Sequence, residues 1–185
     1  YAPAPDYRPL LFDFIGEAVS RYSRKVKVWE FLNEPVWASW YCLPTSAGYT
    51  ISSYVSLLAD AYAAMKAADP TCRVIGGLAI QPEMPYGDQF ISAGGLQYAD
   101  ILNLHPYGGY NAPESFIPWM QRILDAMDAA GGRKPVWATE GGYYGADDKP
   151  YAPWSKSENL LLLESERQTA DYTIRFSTIM LAHGV

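Results

Sequence analysis

Two glutamates carry the chemistry that this sequence can be read for. Glu34 lies in Asn33-Glu34-Pro35, directly after the short apolar run Lys25–Leu32 (KVKVWEFL). Glu140 lies in Glu140-Gly141-Gly142, directly after Pro135–Thr139 (PVWAT). A third junction of this kind, His105-Pro106-Tyr107, follows Asp100–Leu104 (DILNL). Carboxyl groups at the ends of separate strands can face one another across a common mouth. Cleavage of a glycosidic bond needs such a pair: one carboxylic acid to protonate the leaving oxygen, and one carboxylate to attack or assist at the anomeric carbon. The two must also differ in proton affinity, which burial and neighbours can arrange.

The elements that would hold these groups alternate in periodicity. Apolar residues at i, i+3 and i+4 predict helices over Asp6–Ser23, Ser52–Ala68, Pro113–Ala130 and Asn159–His183, with a shorter one over Gly87–Ala93. Between them lie short apolar or β-branched segments, Lys25–Leu32, Arg73–Gly77, Asp100–Leu104 and Pro135–Thr139, which predict strands. Asp69-Pro70 stops the second helix, and Gly131-Gly132 follows the fourth. Strands alternating with amphipathic helices indicate a parallel sheet covered by helices. An open nucleotide-binding sheet would want a glycine-rich phosphate loop, which neither Gly76-Gly77 nor Gly141-Gly142 provides. A closed (β/α)8 barrel needs eight strands and about 250 residues. The expectation is therefore an α/β chain forming a partial (β/α)8 TIM barrel, about half a barrel, with residues 1–185 as one partial catalytic domain. In that fold, functional groups sit at the C-terminal ends of strands, where Glu34, His105 and Glu140 fall.

Composition narrows the partners. Hydrophobic residues make up 49% and charged residues 18%, as expected of a chain with a real core. The net charge is −6 with no basic stretch, which argues against nucleic acid and against an anionic membrane surface. No apolar run is long enough to span a membrane. The stretch Tyr1–Pro9 lacks a basic segment followed by an apolar one and does not read as a signal peptide, so the compartment stays open, with a secreted or periplasmic one favoured. Cys42 and Cys72 fall at opposite ends of such a sheet and are expected as free thiols. Of the two histidines, neither has a partner at metal-ligand spacing, so no metal and no cofactor is expected.

Three segments together resemble the clan A glycoside hydrolases, retaining glycosidases of the TIM-barrel superfamily, and the resemblance covers almost the whole chain. Val28-Trp29-Glu30-Phe31-Leu32-Asn33-Glu34-Pro35 looks like strand 4 of that clan, Asp100–Tyr107 like strand 6 and Pro135–Gly141 like strand 7. The resemblance implies a chain covering about strands 4 to 7. It further implies Glu34 as general acid/base and Glu140 as nucleophile, Asn33 as a donor to the sugar 2-hydroxyl, Tyr107 as a donor to Glu140, and His105 positioned at the same corner. Carboxyl groups about 5–5.5 Å apart would fit retention, and about 9 Å inversion. Trp37, Trp40, Tyr107, Tyr110 and Tyr143 stand next to these strand ends and could stack on sugar faces.

Plainer readings stand beside these. His105 could be a structural histidine bonded to backbone. Glu34 and Glu140 could be helix caps or ion-paired loop residues, and any one loop aromatic could simply pack. Glu30 shares a face with Leu32 and Glu34 in an ideal strand, and reads as a structural partner of an interior Arg or Lys. A half barrel also leaves open strand edges. The alternative function is thus a non-catalytic carbohydrate-binding or inactive fragment, with self-association or the missing remainder of the barrel as partner. For the leading reading the partner is an oligo- or polysaccharide substrate. A serine esterase would need a G-x-S-x-G elbow, and none is present.

Overall fold

Four parallel strands lie side by side in sequence order, each joined to the next through at least one helix. The computed structural model describes residues 5–36, 42–77, 85–145 and 162–185. The elements are α1 (Arg8–Tyr22), β1 (Val28–Glu30), α2 (Ile51–Ala68), β2 (Arg73–Gly77), α3 (Tyr86–Ser92), β3 (Ile101–Leu104), α4 (Phe116–Ala129), β4 (Val136–Ala138) and α5 (Glu166–Ala182). Parallel neighbours require a crossover, and amphipathic helices supply it while covering the sheet. This is the expected partial α/β barrel, with β1 and β4 as edge strands among the described residues.

The strands are shorter than their apolar runs, for a local reason. β1 ends at Glu30, not Leu32, because Leu32 and Glu34 take left-handed backbone conformations, with φ of 63° and 41°. Neither residue is glycine, so this backbone is held there against its own preference. A buried tyrosine does part of the holding. Tyr54 of α2 is fully buried, stacks on Phe31 with ring centroids 6.4 Å apart, and donates its hydroxyl to the Phe31 carbonyl at 3.2 Å. Burial keeps that phenol protonated by raising its pKa. The Phe31 amide meanwhile donates to the Ile75 carbonyl of β2 at 3.2 Å.

Helix starts follow capping chemistry. Thr50 and Ser53 exchange side-chain and backbone bonds in a capping box at the start of α2. α5 begins at Glu166, because the Ser165 hydroxyl accepts the Gln168 amide and fixes the first turn there; Asn159, where the sequence placed its start, lies outside the described residues. The preceding Leu163 is buried and bridges to Gly145 instead. Pro113–Ser115 forms a tight 3-10 turn ahead of α4, so the α-helix proper starts at Phe116.

The core lies between the sheet and the helices. Leu57, Leu58, Val74, Phe90, Leu102, Phe116, Met120 and Ile123 are among its fully buried members. Trp137 is 41% exposed, because it sits on the edge strand β4. Cys42 and the buried Cys72 are both free thiols. At the end of the sheet away from Glu34, Asp69 accepts from Lys27 Nζ at 2.7 Å, from the Thr71 hydroxyl at 2.7 Å and from the Thr71 amide at 3.0 Å. The Lys27 contact, with help from Thr71, lowers the Asp69 carboxyl to about 2. This cluster ties the start of β1 to the turn between α2 and β2.

Candidate active site

The C-terminal ends of β1, β3 and β4 bring Glu34, His105 and Glu140 together. His105 Nδ1 lies 3.0 Å from Glu34 Oε1 and 3.6 Å from Glu140 Oε2. The nearest donor atoms of all three residues lie within 4.8 Å of one another. His105 is 1% exposed, whereas the Glu34 and Glu140 side chains keep 22% and 42% of their surface. A buried imidazole thus sits beneath two carboxylates that open towards solvent. Backbone bonding does not describe His105. Its ring nitrogens meet Glu34 on one side and the Thr139 hydroxyl, at 3.2 Å, on the other.

Each side chain is placed by its strand. His105 follows β3, whose residues Ile101–Leu104 are all buried. The Thr139 amide donates to the Leu104 carbonyl at 3.2 Å, continuing the β3–β4 ladder up to the site. One residue on, Glu140 accepts from the Tyr107 hydroxyl at 2.9 Å. Partial burial, followed by the hydrogen bond to Glu140, pushes the Tyr107 phenol pKa well up, so it remains a donor across the working pH range. A parallel bridge between Tyr107 and Gly142 and a bond from the Gly108 amide to the Gly142 carbonyl hold the two loops in register.

Glu30, Leu32, Asn33, Thr139 and Glu140 line a cleft of about 330 Å3. Asn33 is exposed at its rim. Glu30 therefore points where alternation placed it, but its partners differ from the expected Arg or Lys. It accepts from Asn103 Nδ2 at 2.6 Å and from the Thr139 hydroxyl at 3.4 Å. Partial burial outweighs the nearby His105 and these hydrogen bonds and raises the Glu30 carboxyl above the usual range, although the side chain still opens on the cleft. Asn103 and Thr139 are the site residues that sequence reasoning passed over. A lone Asn inside an otherwise apolar buried strand was the available signal, since such a group must find partners.

The aromatic candidates divide. Tyr107 is half-buried and stacks on the exposed Tyr144, with centroids 6.3 Å apart. Tyr110 is 60% exposed. Tyr143 is not a platform: it is buried against Tyr172 and Phe176 and donates to the Asn111 carbonyl at 3.1 Å. The neighbouring Gly108 allows this, because a Cβ there would stand 2.2 Å from the Tyr143 ring. Trp37 and Trp40 lie outside the described residues.

The cluster is close enough in distance to bracket a cation. Its donor atoms are, however, engaged with one another and with Tyr107, an arrangement suited to sharing protons. No helix among the described residues is long and apolar enough to cross a membrane.

A parallel sheet with helical crossovers and polar groups gathered at its C-terminal edge defines one portion of a TIM-type barrel. Solved structures show whose barrel it resembles. A family 39 glycoside hydrolase from the gut symbiont Bacteroides cellulosilyticus WH2 matches 97% of this chain with a TM-score of 0.72 at 19% identity. A fungal β-1,4-galactanase matches all of it, with 0.67 and 15%. A β-glucuronidase from Bacteroides uniformis also matches all of it, with 0.62 and 14%. The chain spans 36%, 58% and 21% of those three proteins. The likeness shows the fold, a part of the barrel that these glycoside hydrolases share. Neither a protein-family profile nor a curated protein matches the sequence.

Proposed function

We propose that this chain carries the catalytic pair of a retaining glycoside hydrolase acting on a neutral oligo- or polysaccharide. The observation that carries the reading is that one carboxylate oxygen of Glu34 and one of Glu140 lie within 4.8 Å of each other over His105. A direct displacement by a carboxylate needs the pair this close, whereas an inverting enzyme must leave room for a water between them. Glu34, bonded to an imidazole that can share a proton, is the acid and then the base. Glu140, held by the Tyr107 hydroxyl, is the nucleophile, since a donor from a phenol stabilises the anion without neutralising it. Asn33 at the rim is placed to meet a sugar hydroxyl, and Tyr107, Tyr110 and Tyr144 offer ring faces.

In the first step the Glu140 carboxylate attacks the anomeric carbon while Glu34 gives its proton to the departing oxygen. In the second, Glu34 takes a proton from water, which displaces Glu140 and restores both groups. A cleft already lined by Glu30 and Glu140, with Glu34 close by on His105, on a chain of net charge −6, favours an uncharged sugar over an anionic one. The test is the anomeric form of the first product, followed by proton NMR during hydrolysis of an aryl glycoside by the full-length protein. Retention of the substrate's configuration is expected. Immediate appearance of the opposite anomer would overturn the reading.

A further inference from the structure

Among the described residues Thr139 Oγ1 has three polar neighbours, and their chemistry fixes the direction of the hydrogen bonds they make with it. Asn103 Nδ2 lies at 3.4 Å, His105 Nε2 at 3.2 Å and Glu30 Oε1 at 3.4 Å. The amide of Asn103 is oriented by Glu30. Its nitrogen faces the carboxylate at 2.6 Å, where an amide oxygen would be repelled. That nitrogen can only donate, and an ionised Glu30 can only accept. A hydroxyl has one hydrogen and two lone pairs. The Thr139 hydrogen therefore goes to Glu30, and its lone pairs receive Asn103 Nδ2–H and a hydrogen on His105 Nε2.

With Nε2 so engaged, Nδ1 faces Glu34 Oε1 at 3.0 Å. Two lone pairs do not approach that closely without a hydrogen between them. One proton must therefore lie in the Nδ1–Glu34 bond. Glu140 does not compete for it as closely, since its Oε2 stands 3.6 Å from Nδ1 and already accepts from Tyr107.

We propose that Glu30 is a positioning residue of this site: through Thr139 it fixes which nitrogen of His105 carries hydrogen, and so keeps one transferable proton between His105 and Glu34. This rests on the reading of Glu34 as the acid. The proton balance closes over a turnover. The Glu34–proton bond breaks as the bond to the leaving oxygen forms, the electrons of the glycosidic bond stay on that oxygen, and water returns a proton to Glu34 in the second step. Glu30 gives up no proton of its own. Among the described residues, the charged or titratable groups facing His105 are Glu34, Glu140, Tyr107 and, beyond Thr139, Glu30. Those facing Glu30 are His105, Glu140 and Tyr54. The burial that raises the Glu30 carboxyl sets a lower bound to the pH at which the arrangement persists. Once Glu30 is protonated it no longer requires the Thr139 hydrogen.

The test uses the full-length protein with 15N-labelled histidine. In the wild type, the nitrogen spectrum should show hydrogen on His105 Nε2 at neutral pH. Thr139→Val, which removes the acceptor, should leave Nε2 without hydrogen and the one ring hydrogen on Nδ1. In parallel, Glu30→Gln should lower the basic limb of the kcat/KM profile on an aryl glycoside by about one pH unit, the scale of one charge acting across several ångströms of protein. Glu30→Asp, which keeps the charge, should leave that limb near its wild-type position. Three results would overturn the proposal: a wild-type Nε2 without hydrogen, a basic limb unmoved in Glu30→Gln, or an equal movement in Glu30→Asp. The nitrogen spectra need no turnover. A protein that hydrolyses no glycoside therefore sinks the glycosidase reading while leaving the proton arrangement to be judged separately.

Discussion

Replacing Glu140 with alanine should lower kcat on aryl glycosides by roughly 10^5-fold, the scale at which loss of a covalent nucleophile is felt. The fold should survive the change. Glu140 keeps 42% of its side-chain surface, and it stands beyond β4, so little packing is lost. The smaller side chain also leaves space over the anomeric carbon. Azide can enter that space and attack from the same side as the missing carboxylate. Addition of azide should therefore restore part of the rate and yield a glycosyl azide of inverted configuration. Steady-state rates with and without azide check both expectations. Rates close to wild type in Glu140→Ala would remove Glu140 from the mechanism.

The second large effect belongs to Glu34, and it should depend on the leaving group. Glu34→Gln removes the transferable proton while keeping a side chain that His105 Nδ1 can meet. General acid catalysis is worth about 10^2–10^4-fold where the departing oxygen needs a proton. A loss of that size is expected for substrates with alkyl or sugar leaving groups. For dinitrophenyl glycosides, whose leaving group departs as a stable anion, cleavage of the first bond should be nearly unaffected. The slope of log kcat/KM against leaving-group pKa should therefore steepen in the variant. An equal loss across all leaving groups would mean that Glu34 positions substrate and does not supply the proton.

Much of this site could be read from residues alone. Three of the four strand ends announced themselves because the apolar segment runs into a polar residue followed by Pro or Gly, as at Asn33-Glu34-Pro35 and Glu140-Gly141-Gly142. The order of strands followed from helices long enough to cross back over a parallel sheet. What escaped was what depends on side chains meeting across the sheet. Periodicity placed Glu30 on the cleft side, but only the neighbouring strands could show that Asn103 and Thr139, not a basic residue, would meet it. Tyr143 looked like its neighbour Tyr144, yet the first is buried behind Gly108 and the second lies open beside Tyr107. Strand alternation also overran at Leu32 and Glu34, where the left-handed backbone departs from it. The start of α5 is set by the Ser165 hydroxyl accepting the Gln168 amide, a cap that apolar periodicity does not register.

The left-handed backbone at Leu32 and Glu34 bears on the chemistry as well. Non-glycine residues are kept in that region only when their surroundings over-determine them. Here the supports are the Tyr54–Phe31 contact behind the strand and the His105–Glu34 bond in front of it. Glu34 is thereby brought to His105 by a turn rather than by a continuing strand.

The central claim is that Glu140 becomes covalently bonded to the sugar, and a trapped intermediate tests it most directly. The full-length protein would be incubated with 2-deoxy-2-fluoro glycosides bearing a good leaving group, across a panel of neutral sugars, then digested and its peptides weighed. A matching sugar should add one fluoroglycosyl mass to the peptide containing Glu140, and Glu140→Ala should take up none. A label on Glu34 or elsewhere, or hydrolysis of these sugars by a protein that never takes up label, would contradict the account.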